Sequence, residues 1–326
     1  MASHTSEEQR RNAPASAAKN GILAFSASLS ARPGGVSLRT RSPASADLPK
    51  PQTGHDAFAG FRKGLSVRMA LGLSYGGSAY EGWQSQLSGN TVQDKLELAL
   101  GKFSAQRMRV MCAGRTDAGV HALMQVVHFD TALVRETQSW VRGTNAFLPP
   151  DIAVQWAQPV PDEFHSRGSA IARRYAYVVL ESPVRPSVEA GRVGWVYRPL
   201  DEVAMRRATR DLIGEHDFSA FRAAQCQARS PVKTIQHIEI SRRGGYWRFE
   251  FQANAFLHHM IRNIMGCLVA IGQGGYPPEW LAEIMAAKSR AAAAPTFSPH
   301  GLYFLGPIYE DRYGLPARTS AYDWLP

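Results

Sequence analysis

Three stretches of the chain carry an apolar residue at every second position: Tyr175, Tyr177 and Val179; Ile238 and Ile240; and Trp247, Phe249 and Phe251. Side chains alternate across a strand, so this pattern predicts strands with one buried face and one polar face, paired antiparallel in a single layer. Such a layer must be covered on its apolar side, and helices able to cover it are legible. Thr91 and Asp94 form a capping box, behind which Val92, Leu96, Leu100 and Phe103 recur at helical spacing. Asp201 can cap a helix running to Ile213. The strongest helix is expected over Phe256–Ile271, with Met260, Ile264, Leu268 and Ile271 on its apolar stripe, and a last one follows Pro277-Pro278 through Ala287. Further strands are expected at 67–75, 107–113, 125–129 and 152–156, and a short helix at 136–147. The expected fold class is α+β: an antiparallel or mixed central sheet, helices on one face, arranged as two similar α/β halves.

The first 65 residues do not share this rhythm. Rich in Ala, Ser, Pro and Gly, with nine cations against four anions, they lack the apolar surface to offset ordering and are expected to be a disordered, low-complexity extension. An RNA-grasping tail, an organellar transit peptide (opposed by Glu7 and Glu8), and a translation start near Met69 are all open readings of it. The remaining boundaries are placed at 66–165 for an N-terminal half, 166–310 for a C-terminal half and 311–326 for a tail. A formal charge of +10 from 37 Lys and Arg against 27 Asp and Glu suggests an anionic partner, and the open face of the sheet is the surface expected to meet RNA. No run approaches the ~18 apolar residues of a membrane span. Three scattered cysteines exclude a disulfide framework and offer no CxxC knuckle, which predicts a reducing, cytoplasmic location.

The densest polar cluster is Gly114-Arg115-Thr116-Asp117-Ala118-Gly119-Val120-His121, between two expected strands. Two flanking glycines let the backbone turn tightly and present Asp117, while Arg115, two residues away in an extended loop, would keep the carboxylate ionised. Taken alone, these residues are equally an Asx-turn with a loop salt bridge. Tyr175 is equally a core residue of the sheet face, and Arg262 a solvated helix cation. His258 and His259, adjacent on an expected helix, would point about 100° apart and so make no chelating pair. Cys112, Cys226 and Cys267 suit small buried apolar sites. The pairs Arg173-Arg174 and Arg242-Arg243, with Arg206-Arg207-Arg210, are candidate phosphate contacts or plain solvated faces.

The cluster at 114–121, continued by Gln125-Val126-Val127-His128-Phe129-Asp130, resembles the catalytic loop and following strand of the TruA family of tRNA pseudouridine synthases. The likeness continues in order through Tyr80-Glu81-Gly82-Trp83-Gln84, Thr91 to Glu97, Asn145 to Pro149, Phe164 to Arg167, Ala172 to Tyr177, Gly214 to Phe218 and Phe256 to Asn263. Ala294 to Leu302 departs from the family's closing segment in its inner residues. The resemblance implies a pseudouridine synthase fold and conversion of uridine to pseudouridine at positions 38, 39 and 40 of the tRNA anticodon arm. It further implies no cofactor and no metal, a homodimer with tRNA across both subunits, and base flipping. It assigns Asp117 as the nucleophile, attacking either C6 or C1′, with Arg115 holding it or wedging into the RNA. Tyr175 would stack on the uracil and Arg262 would reach Asp117 from the other half. Arg173, Arg174 and His258 are, from their charge and placement alone, candidate contacts to the tRNA backbone. A non-catalytic RNA-binding protein, or a phosphotransferase with an aspartyl nucleophile, would need respectively an eroded site or a second acidic group for magnesium, and the sequence shows neither.

Overall fold

The computed structural model describes residues 66–316. The expectations for residues 1–65 and for 317–326 lie outside them. In chain order the elements are β1 (Val67–Tyr75), α1 (Val92–Ser104), β2 (Met111–Cys112), β3 (His121–Thr131), α2 (Thr137–Asn145), β4 (Ile152–Val160), β5 (Ala170–Glu181) and β6 (Gly194–Val196). There follow α3 (Glu202–Thr209), β7 (Gly214–Asp217), β8 (Val232–Arg243), β9 (Tyr246–Ala253), α4 (Met260–Gly272), α5 (Trp280–Ala287) and β10 (Leu302–Tyr309).

Among the described residues, ten strands make one sheet in the order β4-β1-β3-β10-β5-β9-β8-β7, with β2 paired to β3 and β6 to β5. The last strand is inserted in the middle: β10 runs parallel to β3 and antiparallel to β5, joining the strands of the first half to those of the second. Met69, Leu71, Leu73 and Tyr75 of β1 and Tyr175, Tyr177 and Val179 of β5 turn toward the helices. There they pack with Val92, Leu96 and Leu100 of α1, Trp140 of α2 and Met260, Ile264 and Leu268 of α4 in one continuous core. The opposite face holds two smaller clusters, around Ala70, Val126 and Phe164 and around Leu123, Val178 and Tyr303. The α+β class, a mixed sheet with helices on one face, is as expected.

Two predicted caps are made. Thr91 Oγ1 accepts from the Asp94 amide at 3.2 Å, and Asp201 Oδ1 accepts from the Ala204 amide at 3.0 Å, each contributing about 1 kcal/mol. Two of the departures from expectation have a visible cause. The strand predicted over 107–113 shrinks to Met111–Cys112, because the Val110 amide donates to Glu97 Oε1 on α1 (3.1 Å) and leaves only two residues to pair with β3. The long helix begins at Met260, not Phe256. His259 adopts a left-handed backbone (φ 62°), and the His258 carbonyl accepts from the Ala223 amide (3.1 Å) rather than from the next turn of the helix.

Candidate active site

The loop between β2 and β3 is pinned from several sides. At its entrance the wholly buried Gln125 amide clasps Gly114, donating to its carbonyl at 2.5 Å and accepting from its amide at 3.3 Å. Thr116 turns inward: its hydroxyl meets the buried Tyr75 hydroxyl at 2.8 Å, and its carbonyl accepts from the Trp83 amide at 3.0 Å. Gly82 makes that approach feasible, since at φ 88° a Cβ would stand 2.7 Å from the Thr116 carbonyl. The Val120 amide closes a turn onto the Asp117 carbonyl at 3.1 Å. With Thr116 buried and the chain turning at Val120, Asp117 projects into the gap between this loop and α4.

Three groups from residues 258–262 surround that carboxylate. Arg262 Nη1 donates to Oδ2 at 3.0 Å, His258 Nε2 lies 3.3 Å from Oδ1, and His259 Nε2 lies 3.3 Å from Oδ2. Burial pushes the Asp117 carboxyl up, but the His258 hydrogen bond, the charge of His259 when protonated, and the Arg262 guanidinium outweigh it and hold the group below the usual carboxylate range. Burial also lowers the pKa of His259, which favours its uncharged form near neutral pH; the standing cation at Asp117 is therefore Arg262. Arg262 is itself fixed, since its Nε donates to the Phe297 carbonyl at 3.0 Å and its carbonyl accepts from the Phe297 amide at 3.1 Å. The segment that departs from the family pattern thus supports the site. It lies so close to α4 that a Cβ at Gly266 would stand 2.2 Å from the Pro295 carbonyl.

Tyr175 forms the wall opposite. Its ring packs on Phe304 (centroids 4.8 Å apart) and edge-on to Phe256 (5.2 Å), and burial, then the Asp117 charge, push its phenol well above the ordinary value. The hydroxyl lies beside Gly114, where a Cβ would stand 3.6 Å from it. Asp117, Arg262, His258 and Tyr175 are thus brought together on the helical side of the sheet. The open sheet face, expected to meet the RNA, is not where these residues gather.

Other expectations need correction. Arg115 does not hold Asp117; it is exposed and donates to Gln227 Oε1 at 3.1 Å, and the guanidinium on the carboxylate is that of Arg262. Arg174 faces away from the site and pairs with Glu250 at 3.0 Å. Arg173 is on the site's side of β5, but its guanidinium donates to the carbonyls of Ala170 (2.9 Å), Asn254 (2.8 Å) and Arg167, so it clamps the backbone. His258 and His259 precede α4, and their rings lie 4.1 Å apart on one side instead of about 100° apart. With Asp117 they offer three donor atoms within 4.8 Å of one another, although the cation beside this carboxylate is already supplied by Arg262. His259 and Gln125 were missed in the sequence. A glutamine on a buried strand was a signal, since a buried amide must find partners. The left-handed turn at His259 had none.

A family model described as tRNA pseudouridine synthase matches residues 73–167 and 208–310. A tRNA pseudouridine synthase A of Polaromonas naphthalenivorans (strain CJ2) is 81% identical over 264 residues, covering 80% of this chain and 100% of that protein. One of Acidovorax ebreus (strain TPSY) is 68% identical over 274 residues, and one of Albidiferax ferrireducens (strain ATCC BAA-621 / DSM 15236 / T118) is 66% identical over 260, each covering 80% of this chain and 100% of that protein. Among the described residues, no helix is long and apolar enough to cross a membrane.

Proposed function

The chain belongs to the tRNA pseudouridine synthase family, and from that premise we propose that Asp117 is its nucleophile, acting on uridines 38, 39 and 40 of tRNA. The reaction isomerises uridine to pseudouridine in the tRNA anticodon stem-loop. It breaks the N1–C1′ bond, turns the base and rejoins it through C5, with no net change of oxidation state. The nucleophile must be ionised, held still and shielded. The observation that carries this reading is the Asp117 carboxylate, 20% exposed and met by Arg262 at 3.0 Å from the far half of the chain.

A uridine in a stem cannot reach such a recessed carboxylate, so the base is extruded, at a cost of a few kcal/mol, and stacks on Tyr175. Arg115, exposed at the mouth and free of Asp117, fills the vacated place in the RNA. His258 meets Asp117 directly, and Arg174, its side chain 47% exposed beside Glu250, stays a contact to the tRNA backbone in this reading, with Arg173 next to it. A homodimer working in the cytoplasm suits a bent tRNA longer than one subunit. In a bacterial host whose own enzyme of this family is deleted, the chain should restore pseudouridine at positions 38–40 and Asp117→Asn should not. Modification confined to other positions would overturn the reading.

A further inference from the structure

We propose that His259 is the base that removes the hydrogen from C5 of the uracil, an inference resting on the reading of Asp117 as nucleophile. Once C5 is joined to C1′, it carries both the ribose and its original hydrogen. The C5–H bond then breaks, and its electron pair becomes the C5=C6 double bond. The displaced pair goes to N1, which takes a proton from solvent, or, if Asp117 is attached at C6, leaves with the carboxylate. The hydrogen departs as a proton to the imidazole, which later gives it to water.

The acceptor must lie beside Asp117, which marks where the ring and ribose are held, and must have a free lone pair near neutral pH. Arg262 has no lone pair to offer. Asp117 is held below the usual carboxylate range and is a weak base, and the Tyr175 phenol is raised and keeps its own proton. His258 Nε2 makes the same 3.3 Å approach, to Oδ1, but it is the imidazole hydrogen-bonded to the carboxylate and the more exposed of the two (37% against 27%). His259 remains, with Nε2 3.3 Å from Oδ2, a side chain 27% exposed, and burial favouring its neutral form. The charged groups facing it are Asp117 from the loop, His258 beside it, Arg262 from α4 and Arg290 from the turn after α5.

The backbone supports this assignment. A side chain at φ 62° is strained, glycine or asparagine would turn the chain more easily, and His259 makes no side-chain cap to α4. The strain is spent on laying the imidazole over the Asp117 loop.

The test is single-turnover reaction of anticodon stem-loop RNA carrying either C5-tritiated uridine or 5-fluorouridine. Fluorine cannot leave as a cation, so the fluorinated base is rearranged without any C5 deprotonation. His259→Gly suits the left-handed turn and should slow tritium release by about 10²–10⁴-fold. Rearrangement of 5-fluorouridine should stay within about threefold of wild type, since only the later step is lost. Added imidazole should restore tritium release, with rates across substituted imidazoles following their basicity. His259→Asn, also suited to the turn, is run beside it with melting temperature and RNA binding, so that a folding defect is seen as such. Equal loss on both substrates by folded, RNA-binding variants, no loss on either, or no rescue by imidazole would overturn the proposal. Inactivity of the wild type on both substrates would instead refute the reading of Asp117 on which it rests.

Discussion

Replacing Arg262 by glutamine removes, among the described residues, the one permanent cation in contact with Asp117, while keeping a hydrogen-bonding side chain near the Phe297 carbonyl. A hydrogen bond to a charged group contributes about 1.5–3 kcal/mol, and the residual exposure of both partners (13% and 20%) lowers that to about 1–2 kcal/mol. The folded carboxyl lies below its unfolded value, so its stabilising contribution is present above the unfolded pKa and lost as pH falls through the folded one. Arg262→Gln should therefore be less stable than wild type by about 1–2 kcal/mol at pH 7, with that difference shrinking as pH falls through the folded carboxyl's pKa. Because one pH unit corresponds to about 1.4 kcal/mol, the acid limb of single-turnover tritium release should move up by about one unit. Denaturant unfolding as a function of pH and a pH–rate profile measure the two effects. A stability difference unchanged with pH, together with an unmoved acid limb, would refute the claim that Arg262 sets the ionisation of Asp117.

Tyr175→Phe should keep RNA affinity and turnover within a few-fold, whereas Tyr175→Leu should lose about 1–3 kcal/mol of binding in kcat/KM; equal losses would show that the hydroxyl, not the ring, matters. Gln125→Ala leaves the amide and carbonyl of Gly114 without their partner and should cost about 1–3 kcal/mol in denaturant unfolding as well as activity, while unchanged stability would contradict the clasp. His128 has its pKa pushed down to about 4 by burial, then by His165 and Arg68, so the unfolded chain takes up a proton first as pH falls from 6.5. Stability should drop by up to about 3 kcal/mol between those values, and this part of the slope should vanish in His128→Gln.

What was legible in the sequence was local. Thr91 and Asp201 cap helices because a hydroxyl or carboxylate there has nothing better to accept than the free amides of a first turn. Tyr175, Tyr177 and Val179 lie on one face because a strand alternates. The resemblance supplied the pairing of Asp117 with Arg262, 145 residues apart. Spacing alone favoured Arg115, two residues away, and could not show that its guanidinium donates instead to Gln227, 112 residues on. The placement of β10 between β3 and β5 was equally hidden, since its partners are set by tertiary register, not by its own pattern. The site's location on the helical face followed from that placement and from the late start of α4. The position of His259 beside Asp117 is not legible in the sequence, because no residue there marks the left-handed backbone that puts it outside the helix.

The measurement that tests the central claim most directly uses the expelled hydrogen. The purified chain is incubated in EDTA with tRNA tritiated at uridine C5, beside Asp117→Asn. The account predicts steady tritium release by the wild type and none above background by the variant, with both binding the tRNA. Release by both would remove Asp117 from the role of nucleophile, and release by neither, with tRNA bound, would contradict the isomerisation itself.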